Sequence, residues 1–238
     1  METTKVDILA LGAHPDDVEC SAAGVILKHI AMGRTVAIAD LTAGETGNYG
    51  DAESRKHEAE SASEILGIKY REQLGLPDGA LENNETSRLK LIYAIRTYRP
   101  EIVLCNAVYD RHPDHSVAAK LAADACYLSG LKKKETFIDG VAQDAWRPKA
   151  VYHYVQDFYI EPDFVTDISE YMDKKIEAIL AFRSQFSKSD ISKPNSNLGL
   201  IDHIKSTNSL YGSHINAAYA EGFTVNRYIG VNDLFQII

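Results

Sequence analysis

The sequence predicts an α/β fold: a Rossmann-like, doubly wound and mostly parallel sheet with helices on both faces. Two observations support this prediction. Short apolar runs at residues 6–11 and 102–105 have the near-continuous hydrophobicity of strands that are buried on both faces. Over the first 130 residues such runs alternate with segments of helical periodicity, and this alternation is typical of parallel strands joined by right-handed helical crossovers.

The elements of the first half follow from periodicity and from the glycines at their ends. Strands are predicted over residues 5–11, 35–41, 69–74 and 102–105, and helices over residues 17–32, 52–66, 85–98 and 116–128. Glycine, which commonly ends a helix, follows three of these helices at positions 33, 67 and 130. The glycine-rich segment 42–51 and the turn 76–79 are predicted to be loops.

Past residue 130 the alternation is less regular. Strands are expected over residues 150–155, 164–166 and 223–225, and helices over residues 169–182 and 200–211. Ser169 is the expected N-cap of the first of these helices, and the polar segment 183–197 is expected to be a loop. We expect one domain over residues 1–238, with a Rossmann-like core in 1–130 and substrate-rim and closing elements in 131–238.

Composition restricts the class of protein. The 238 residues are 45% hydrophobic and 25% charged, as in an ordinary globular chain, and the formal net charge is -9. That charge argues against nucleic-acid partners and anionic membrane surfaces, since both need basic stripes. Cys20, Cys105 and Cys126 lie in apolar contexts and are expected to be reduced core thiols. No basic-then-apolar leader and no apolar run of about 20 residues are present, so we expect a cytoplasmic protein.

Two clusters of chemically competent side chains follow two of the predicted strands. The first is the run His14, Pro15, Asp16 and Asp17, and the second is the run His-Pro-Asp-His at residues 112–115. Ligands of open α/β sheets bind at the carboxyl ends of the strands, so both clusters are expected at the same edge of the sheet. We infer that the two clusters meet around one metal ion.

His14, Asp17 and His115 are the predicted metal ligands. A catalytic zinc site takes three protein ligands from His, Asp, Glu or Cys and leaves one position for water. His14 and Asp17 are three positions apart, so a turn that enters a helix can direct both at one point, and His115 arrives from another strand end. A bound divalent metal lowers the pKa of water to about 7 and polarises a carbonyl oxygen.

The remaining polar side chains suit proton transfer. Asp16, a carboxylate between two ligands in the sequence, suits a general base. His112 is predicted to donate a proton or a hydrogen bond to a developing oxyanion or a leaving amine, and Asp114 to hold that imidazole in orientation. Together these groups predict metal-assisted hydrolysis of an amide or an ester.

Two other interpretations use the same residues. A metal-free Rossmann-type protein could recognise a sugar or a ribose with these carboxylates, and a structural metal site could stabilise the fold without chemistry. A single Asp beside a His is most often a turn or a helix cap, but two His-Pro-Asp clusters after apolar strands favour a shared site. The glycine loop 42–50 lacks the Gly-Lys-Ser or Gly-Lys-Thr of a phosphate-binding loop and is expected to shape a pocket rim.

The two clusters resemble the signature of the PIG-L/LmbE-like family, which consists of zinc-dependent deacetylases of N-acetylglucosamine-containing substrates. The resemblance covers most of the chain and includes AHPDD (13–17), DLTAGE (40–45), LGLPDG (74–79), DRHPDH (110–115), SQF (184–186) and YAEGF (219–223). It implies an LmbE-like fold. The loop segments are most similar to members that act in bacillithiol biosynthesis and release acetate from N-acetylglucosaminyl-malate. The alternatives are a chitobiose-type sugar and a thiol conjugate.

The same resemblance implies roles for the residues of the two clusters. It implies His14, Asp17 and His115 as the ligands of one Zn2+ per chain, with Fe2+ or another divalent metal as the alternative. It implies Asp16 as the general base, and His112, partnered by Asp114, as the acid or oxyanion stabiliser.

Three arginines are expected to contact the small amino-sugar substrate. Arg55 and Arg147 match positions near the pocket in related proteins, and Arg111 suits a malate carboxylate because arginine binds carboxylates bidentately. Some family members place a tyrosine beside the oxyanion, whereas Asp110 stands at that position here. Related proteins form homo-hexamers or smaller homo-oligomers, so self-association is also expected.

Overall fold

The computed structural model describes residues 4–186 and 199–236 of the chain. In these two ranges the strands are β1 Ile8–Gly12, β2 Val36–Asp40, β3 Tyr70–Gln73, β4 Ile102–Cys105, β5 Phe137–Ile138, β6 Val141–Ala142, β7 Ala150–Tyr154, β8 Phe164–Asp167 and β9 Ala220–Thr224. The helices are α1 Asp17–Ala31, α2 Ala52–Leu66, α3 Glu85–Tyr98, α4 Pro113–Leu128, α5 Met172–Leu180, α6 Arg183–Phe186 and α7 Leu200–Ser213. Among the described residues, no helix is both long and apolar enough to cross a membrane.

The central sheet has the strand order β3-β2-β1-β4-β7-β9-β8. The first five of these strands pair in parallel, and β9 pairs antiparallel with both β7 and β8. The prediction of a mostly parallel, Rossmann-like α/β sheet is therefore confirmed. The loops that follow β1 and β4 leave the same edge of the sheet, because these strands are parallel neighbours with Ile8 opposite Ile102 and Ala10 opposite Leu104.

Both faces of the sheet are covered by apolar packing. Leu9 and Leu11 of β1 pack into a core with α3 and α4, whereas Ile8 and Ala10 pack into a second core with α1, α5 and α7. Every residue of β1 is buried. This two-sided burial explains why the strand appears as an uninterrupted apolar run rather than an alternating one.

Four local expectations differ from the structure. Helix α4 begins at Pro113 rather than at residue 116. The proline ring fixes φ near the helical value, and the N–H that proline lacks would have no partner within the first turn of a helix. Ser169 does not cap α5: it lies in a 3-10 turn, where its amide and hydroxyl groups donate to Asp167. The hairpin of β5 and β6 was not expected, and its strands are only two residues long. Part of the expected loop 183–197 is the short helix α6, and residues 187–198 lie outside the described residues.

A buried ion pair ties α1 to the late part of the chain. Lys175 Nζ of α5 lies 2.7 Å from Glu221 Oε1 of β9, and both side chains are almost completely buried. The Glu221 carboxylate also accepts hydrogen bonds from the backbone N–H groups of Gly24 and Val25, at 2.9 and 2.7 Å. The position of α1, and therefore of the cluster at its N-terminus, depends on this carboxylate.

We expect Lys175→Met to lower the free energy of unfolding by about 3–5 kcal/mol, because the variant leaves the Glu221 carboxylate buried without its cation. Urea unfolding followed by circular dichroism measures the change. The control is Lys175→Met combined with Glu221→Gln, which removes both charges and keeps an amide oxygen for one of the two helix N–H groups. The double variant should recover at least half of the loss; equal instability of the single and double variants would contradict the charge argument.

Candidate active site

The two His/Asp clusters lie together at the carboxyl edge of the sheet. His14 and Asp17 lie between β1 and the first turn of α1, and His112 and His115 lie at the start of α4. The ring centroid of His14 is 4.6 Å from that of His112 and 5.4 Å from that of His115. Side chains nearly 100 positions apart in the sequence therefore share one buried space.

The Asp17 carboxylate lies between the two predicted histidine ligands. Its Oδ1 atom is 3.1 Å from His115 Nε2, and its Oδ2 atom is 3.6 Å from His14 Nδ1. Ligand atoms at the zinc bond lengths of 2.0–2.1 Å stand about 3.3 Å apart around a tetrahedral ion. The distances from Asp17 to each predicted histidine ligand are therefore close to the spacing between two ligands of a small divalent cation.

The remote ring nitrogen of each predicted histidine ligand faces carboxylates. His115 Nδ1 is 2.5 Å from Asp110 Oδ2, and His14 Nε2 is 3.0 Å from Asp78 Oδ1 and 3.3 Å from Asp114 Oδ2. Metal-bound histidines usually have such a partner, which fixes the ring and its tautomer. These carboxylate partners are the observation on which the fit between these residues and a metal ion rests.

Among the described residues, two groups have ligand atoms close enough together to hold one metal ion, and neither includes Asp17: His14 with His112 and His115, and His14 with Asp78 and Asp114. In the second group the Asp114 oxygens already accept from the N–H groups of Gly79 and Leu81, and Asp78 accepts from Thr46. Both carboxylates lie at His14 Nε2, whereas Asp17 lies at Nδ1 of the same ring, so Asp78 and Asp114 hold the His14 ring from the side away from Asp17. His14 and His115 belong to the first group, and Asp17 lies between them, so the set of His14, Asp17 and His115 stays the predicted one.

The site stabilises positive charge. Burial lowers the pKa of His14, but the Asp114, Asp17 and Asp78 carboxylates outweigh it and raise that pKa to about 12. Burial likewise lowers the pKa of His115, while Asp17 and Asp110 raise it to about 9. Carboxylates that hold protons so strongly on two imidazoles also favour a cation at the same place.

The structure assigns Asp114 a different partner from the expected one. Its carboxylate contacts His14 and the backbone of the turn at residues 79–81, while only its backbone N–H reaches His112 Nδ1, at 3.2 Å. The physical reason is that α4 begins at Pro113, so the Asp114 side chain projects from the first helical turn toward α1. The expectation that Asp114 orients the His112 imidazole is wrong for its side chain.

His112 is the N-cap of α4. Because its Nδ1 accepts the Asp114 N–H, the hydrogen of the neutral ring is on Nε2, which can donate to a ligand. Burial and the neighbouring His14 and His115 lower the pKa of His112. The neutral ring suits a hydrogen-bond donor to an oxyanion better than a proton source.

Asp16 lies in the same cleft, on a strained backbone. Its φ of 112° and ψ of -24° are in a region that residues with a Cβ rarely adopt. Asp16 Oδ2 is 3.1 Å from Arg55 Nη2, and Arg55 also donates to the carbonyl oxygens of Pro15 and Gly44. Burial raises the pKa of Asp16 to about 7, although Arg55 opposes this rise. A carboxyl group with such a pKa suits proton transfer near neutral pH.

The three arginines that were expected to contact substrate have different environments. Arg55 is buried and holds Asp16, and Gly44 is a glycine because a Cβ there would overlap the Arg55 guanidinium. Arg111 lines the cleft and forms an ion pair with Asp157. Arg147 is wrong as a pocket residue: it stacks on Tyr127 at the opposite edge of the sheet, because residues that precede a parallel strand lie at its amino end.

The cleft has a volume of about 430 Å³. Its floor carries the two clusters, and part of its far wall is formed by one face of α7, where Leu200, Ile204 and Tyr211 lie. Tyr211 donates its hydroxyl to Ile160 O at 3.2 Å. Asp110 stands at the position where a tyrosine was considered. Its carboxylate contacts His115 Nδ1 and accepts a hydrogen bond from the backbone N–H of Phe158.

Sequence reasoning missed four polar residues of this site: Asp78, Asp110, Asn106 and Gln156. Asn106 directly follows β4, and Gln156 is two residues after β7. Polar residues just after buried parallel strands are a usable signal, because ligands bind at that edge. Asp78 was assigned only to a turn, and its contact with His14 depends on how loop 74–79 folds over the strand ends.

Comparisons with known proteins agree with this geometry. A family model described as GlcNAc-PI de-N-acetylase (PIG-L) matches residues 9–126. The crystal structure of a conserved protein from Thermus thermophilus is similar, with a TM-score of 0.85 and 34% identity, over 95% of this chain and 98% of that one.

Two relatives have named activities. The diacetylchitobiose deacetylase of Thermococcus kodakarensis is 29% identical over 230 residues, which cover 90% of this chain and 81% of that protein. A Bacillus anthracis protein named "Probable N-acetyl-alpha-D-glucosaminyl L-malate deacetylase 2" is 28% identical over 194 residues, which cover 76% of this chain and 81% of that protein.

The positive φ of Asp16 predicts an unusual order of stability. Asp16→Gly and Asp16→Ala both remove the carboxylate, but only alanine keeps the Cβ that this backbone disfavours. We expect the glycine variant to be more stable by about 1–2 kcal/mol in urea unfolding. The control pair is Glu60→Gly and Glu60→Ala on the exposed face of α2, where alanine should be the more stable by about 1 kcal/mol. The same order at both positions would contradict backbone strain at Asp16.

Proposed function

The chain belongs to the PIG-L/LmbE-like deacetylase family, and from this premise we propose that it hydrolyses the N-acetyl group of an N-acetylglucosamine conjugate with a bound divalent metal. The observation that carries the proposal is the meeting of the two His/Asp clusters in one cleft, with Asp16 beside them. The carboxylates behind His14 and His115 support metal-dependent hydrolysis over a metal-free binding role.

Zn2+ is the proposed metal, one ion per chain, held by His14, Asp17 and His115. Two imidazoles and one carboxylate are a common catalytic zinc set, although imidazole also suits Fe2+. When bound, the cation supplies a Lewis acid that polarises the acetyl carbonyl and lowers the pKa of a water molecule.

The side chains of the cleft carry out the proton transfers. Asp16 accepts a proton from water as the water oxygen bonds to the acetyl carbon. His112 donates a hydrogen bond from its Nε2–H to the carbonyl oxygen as negative charge develops on that oxygen. Asp16 then delivers its proton to the nitrogen as the C–N bond breaks. The products are the free amine and acetic acid, which ionises to acetate.

N-acetylglucosaminyl-L-malate, an intermediate of bacillithiol biosynthesis, is the proposed substrate. The cleft volume of about 430 Å³ is in the range of small-ligand sites and suits a sugar conjugate. The guanidinium of Arg111 lines the cleft and suits a malate carboxylate. The Bacillus anthracis relative is named for this substrate. A chitobiose-like sugar, as in the name of the archaeal relative, and a thiol conjugate are the alternatives.

The remaining expectations are part of the same proposal. The enzyme is a cytoplasmic homo-oligomer of up to six chains, with residues 1–130 as the Rossmann-like core and residues 131–238 as the substrate rim and closing elements. Strands β7, β8 and β9 support one domain, since they extend the sheet that β1 to β4 begin. Light scattering coupled to size-exclusion chromatography measures the number of chains.

Replacing Asp16 and His14 should separate proton transfer from metal binding. We expect Asp16→Ala to keep stoichiometric metal but to lose about 10²- to 10⁴-fold in kcat, because it removes the base alone. His14→Ala should lose the metal itself. Acetate release and metal content are measured on the same preparations, with Asp173→Ala, an exposed carboxylate of α5, as the control. Acetate release by Asp16→Ala near the wild-type rate would disprove the assignment of the base.

Substrate choice is tested by acetate release from N-acetylglucosaminyl-malate, N,N′-diacetylchitobiose and N-acetylglucosamine. We expect the malate conjugate to have the highest kcat/KM. Arg111→Ala should lower this kcat/KM mainly by raising KM, because the Arg111 guanidinium pairs with the malate carboxylate. Preference for chitobiose would replace the proposed substrate. Wild-type protein that holds no divalent metal and releases no acetate would instead favour a sugar-binding protein.

A further inference from the structure

Two carboxamide side chains hold the carboxylate of Asp17. Asn106 Nδ2 donates to Asp17 Oδ2 at 2.9 Å, and Gln156 Nε2 donates to Asp17 Oδ1 at 3.2 Å. Asn106 is completely buried, and Gln156 is half-buried on the wall of the cleft. Each oxygen of the carboxylate thus receives one N–H from a neutral side chain.

Backbone groups determine which way both amides face. Asn106 Oδ1 accepts the N–H of Ala13 at 2.9 Å, so the NH2 group of Asn106 must face Asp17. Gln156 Oε1 accepts from Ala107 N at 3.1 Å and from Asn106 Nδ2 at 3.0 Å, so its NH2 group must also face Asp17. A flipped amide would place two donors or two acceptors against each other. The orientation is therefore built into the fold.

We propose that Asn106 and Gln156 form a carboxamide clamp that positions Asp17 for the divalent cation. This inference rests on the metal site of the proposed function. The clamp joins three neighbouring strands, since Asp17 follows β1, Asn106 follows β4 and Gln156 follows β7. Both amides are neutral, so they fix the rotamer of Asp17 without neutralising the charge that the cation needs.

The clamp also directs the free lone pairs of Asp17. A carboxylate offers about four acceptor positions. The Asn106 amide and the backbone N–H of His14, at 3.0 Å, use two positions on Oδ2, and the Gln156 amide uses one on Oδ1. The remaining position is on Oδ1, the oxygen that lies 3.1 Å from His115 Nε2. Loss of a donor would let the carboxylate rotate away from that direction and would weaken metal binding.

The test compares Gln156→Met and Asn106→Ser with wild type. Methionine has nearly the shape of glutamine but cannot donate, and serine keeps a small polar group for Ala13. The matched control is Gln143→Met, because Gln143 is also a half-buried amide and bonds to Tyr93 and Thr97 away from the cleft. Competition with a chromophoric chelator measures the Kd for Zn2+, and thermal unfolding of metal-free protein shows whether each variant folds.

We expect both clamp variants to bind Zn2+ about 10- to 100-fold more weakly than wild type, the usual effect of losing a group that orients a ligand. Gln143→Met should bind as wild type does. Excess Zn2+ should restore most of kcat to Gln156→Met, because the chemistry of Asp16 is untouched. A Kd within twofold of wild type for folded Gln156→Met overturns the clamp while leaving the proposed function intact. Wild-type protein that binds no divalent metal overturns both.

Discussion

The parallel pairing of β1 with β4 is the constraint on which the candidate site depends. Ala10 lies opposite Leu104, so the chain leaves both strands at nearly the same height. His14 follows shortly after the end of β1, and Asn106 directly follows the end of β4. A shift of one residue between these strands would turn the alternating side chains of β1 to the opposite faces. Leu9 and Ala10 pack into separate cores on opposite faces of the sheet. This packing fixes the register of β1 against β4, and with it the distance between the two His/Asp clusters.

The site collects more negative charge than its two buried imidazoles alone would require. Four carboxylates surround them: Asp17, Asp78, Asp110 and Asp114. In the metal-free protein, protons on His14 and His115 offset part of this charge, and the carboxylates raise the pKa of His14 to about 12 and that of His115 to about 9. A divalent cation replaces those protons, since a histidine binds metal only in its neutral form. Protonation and metal binding are thus alternative ways of satisfying the same carboxylates.

The sequence allowed the sheet, the metal-competent side chains and their edge of the sheet to be predicted, because each depends on local pattern. Short apolar runs imply buried strands, and polar residues just beyond them imply a site. The partners of those side chains were harder to predict, because they depend on where another loop folds. Asp114 was assigned to His112, its neighbour in sequence, although the first turn of α4 directs it to His14. Arg147 was placed by analogy alone, and strand direction puts it at the wrong edge.

The residues that line the cleft come from two parts of the chain, and these parts bear differently on the proposed reaction and on the proposed substrate. The family model spans residues 9–126, and this range includes the three predicted metal ligands and Asp16. The far wall comes from later residues: Gln156 and Asp157 follow β7, and α7 contributes Ile204 and Tyr211. In the proposed function these wall residues face the group attached to the acetylated sugar, and they lie outside residues 9–126, which the family model matches. Membership of the family supports a deacetylase, while the proposed choice among sugar conjugates rests on the side chains of the later elements.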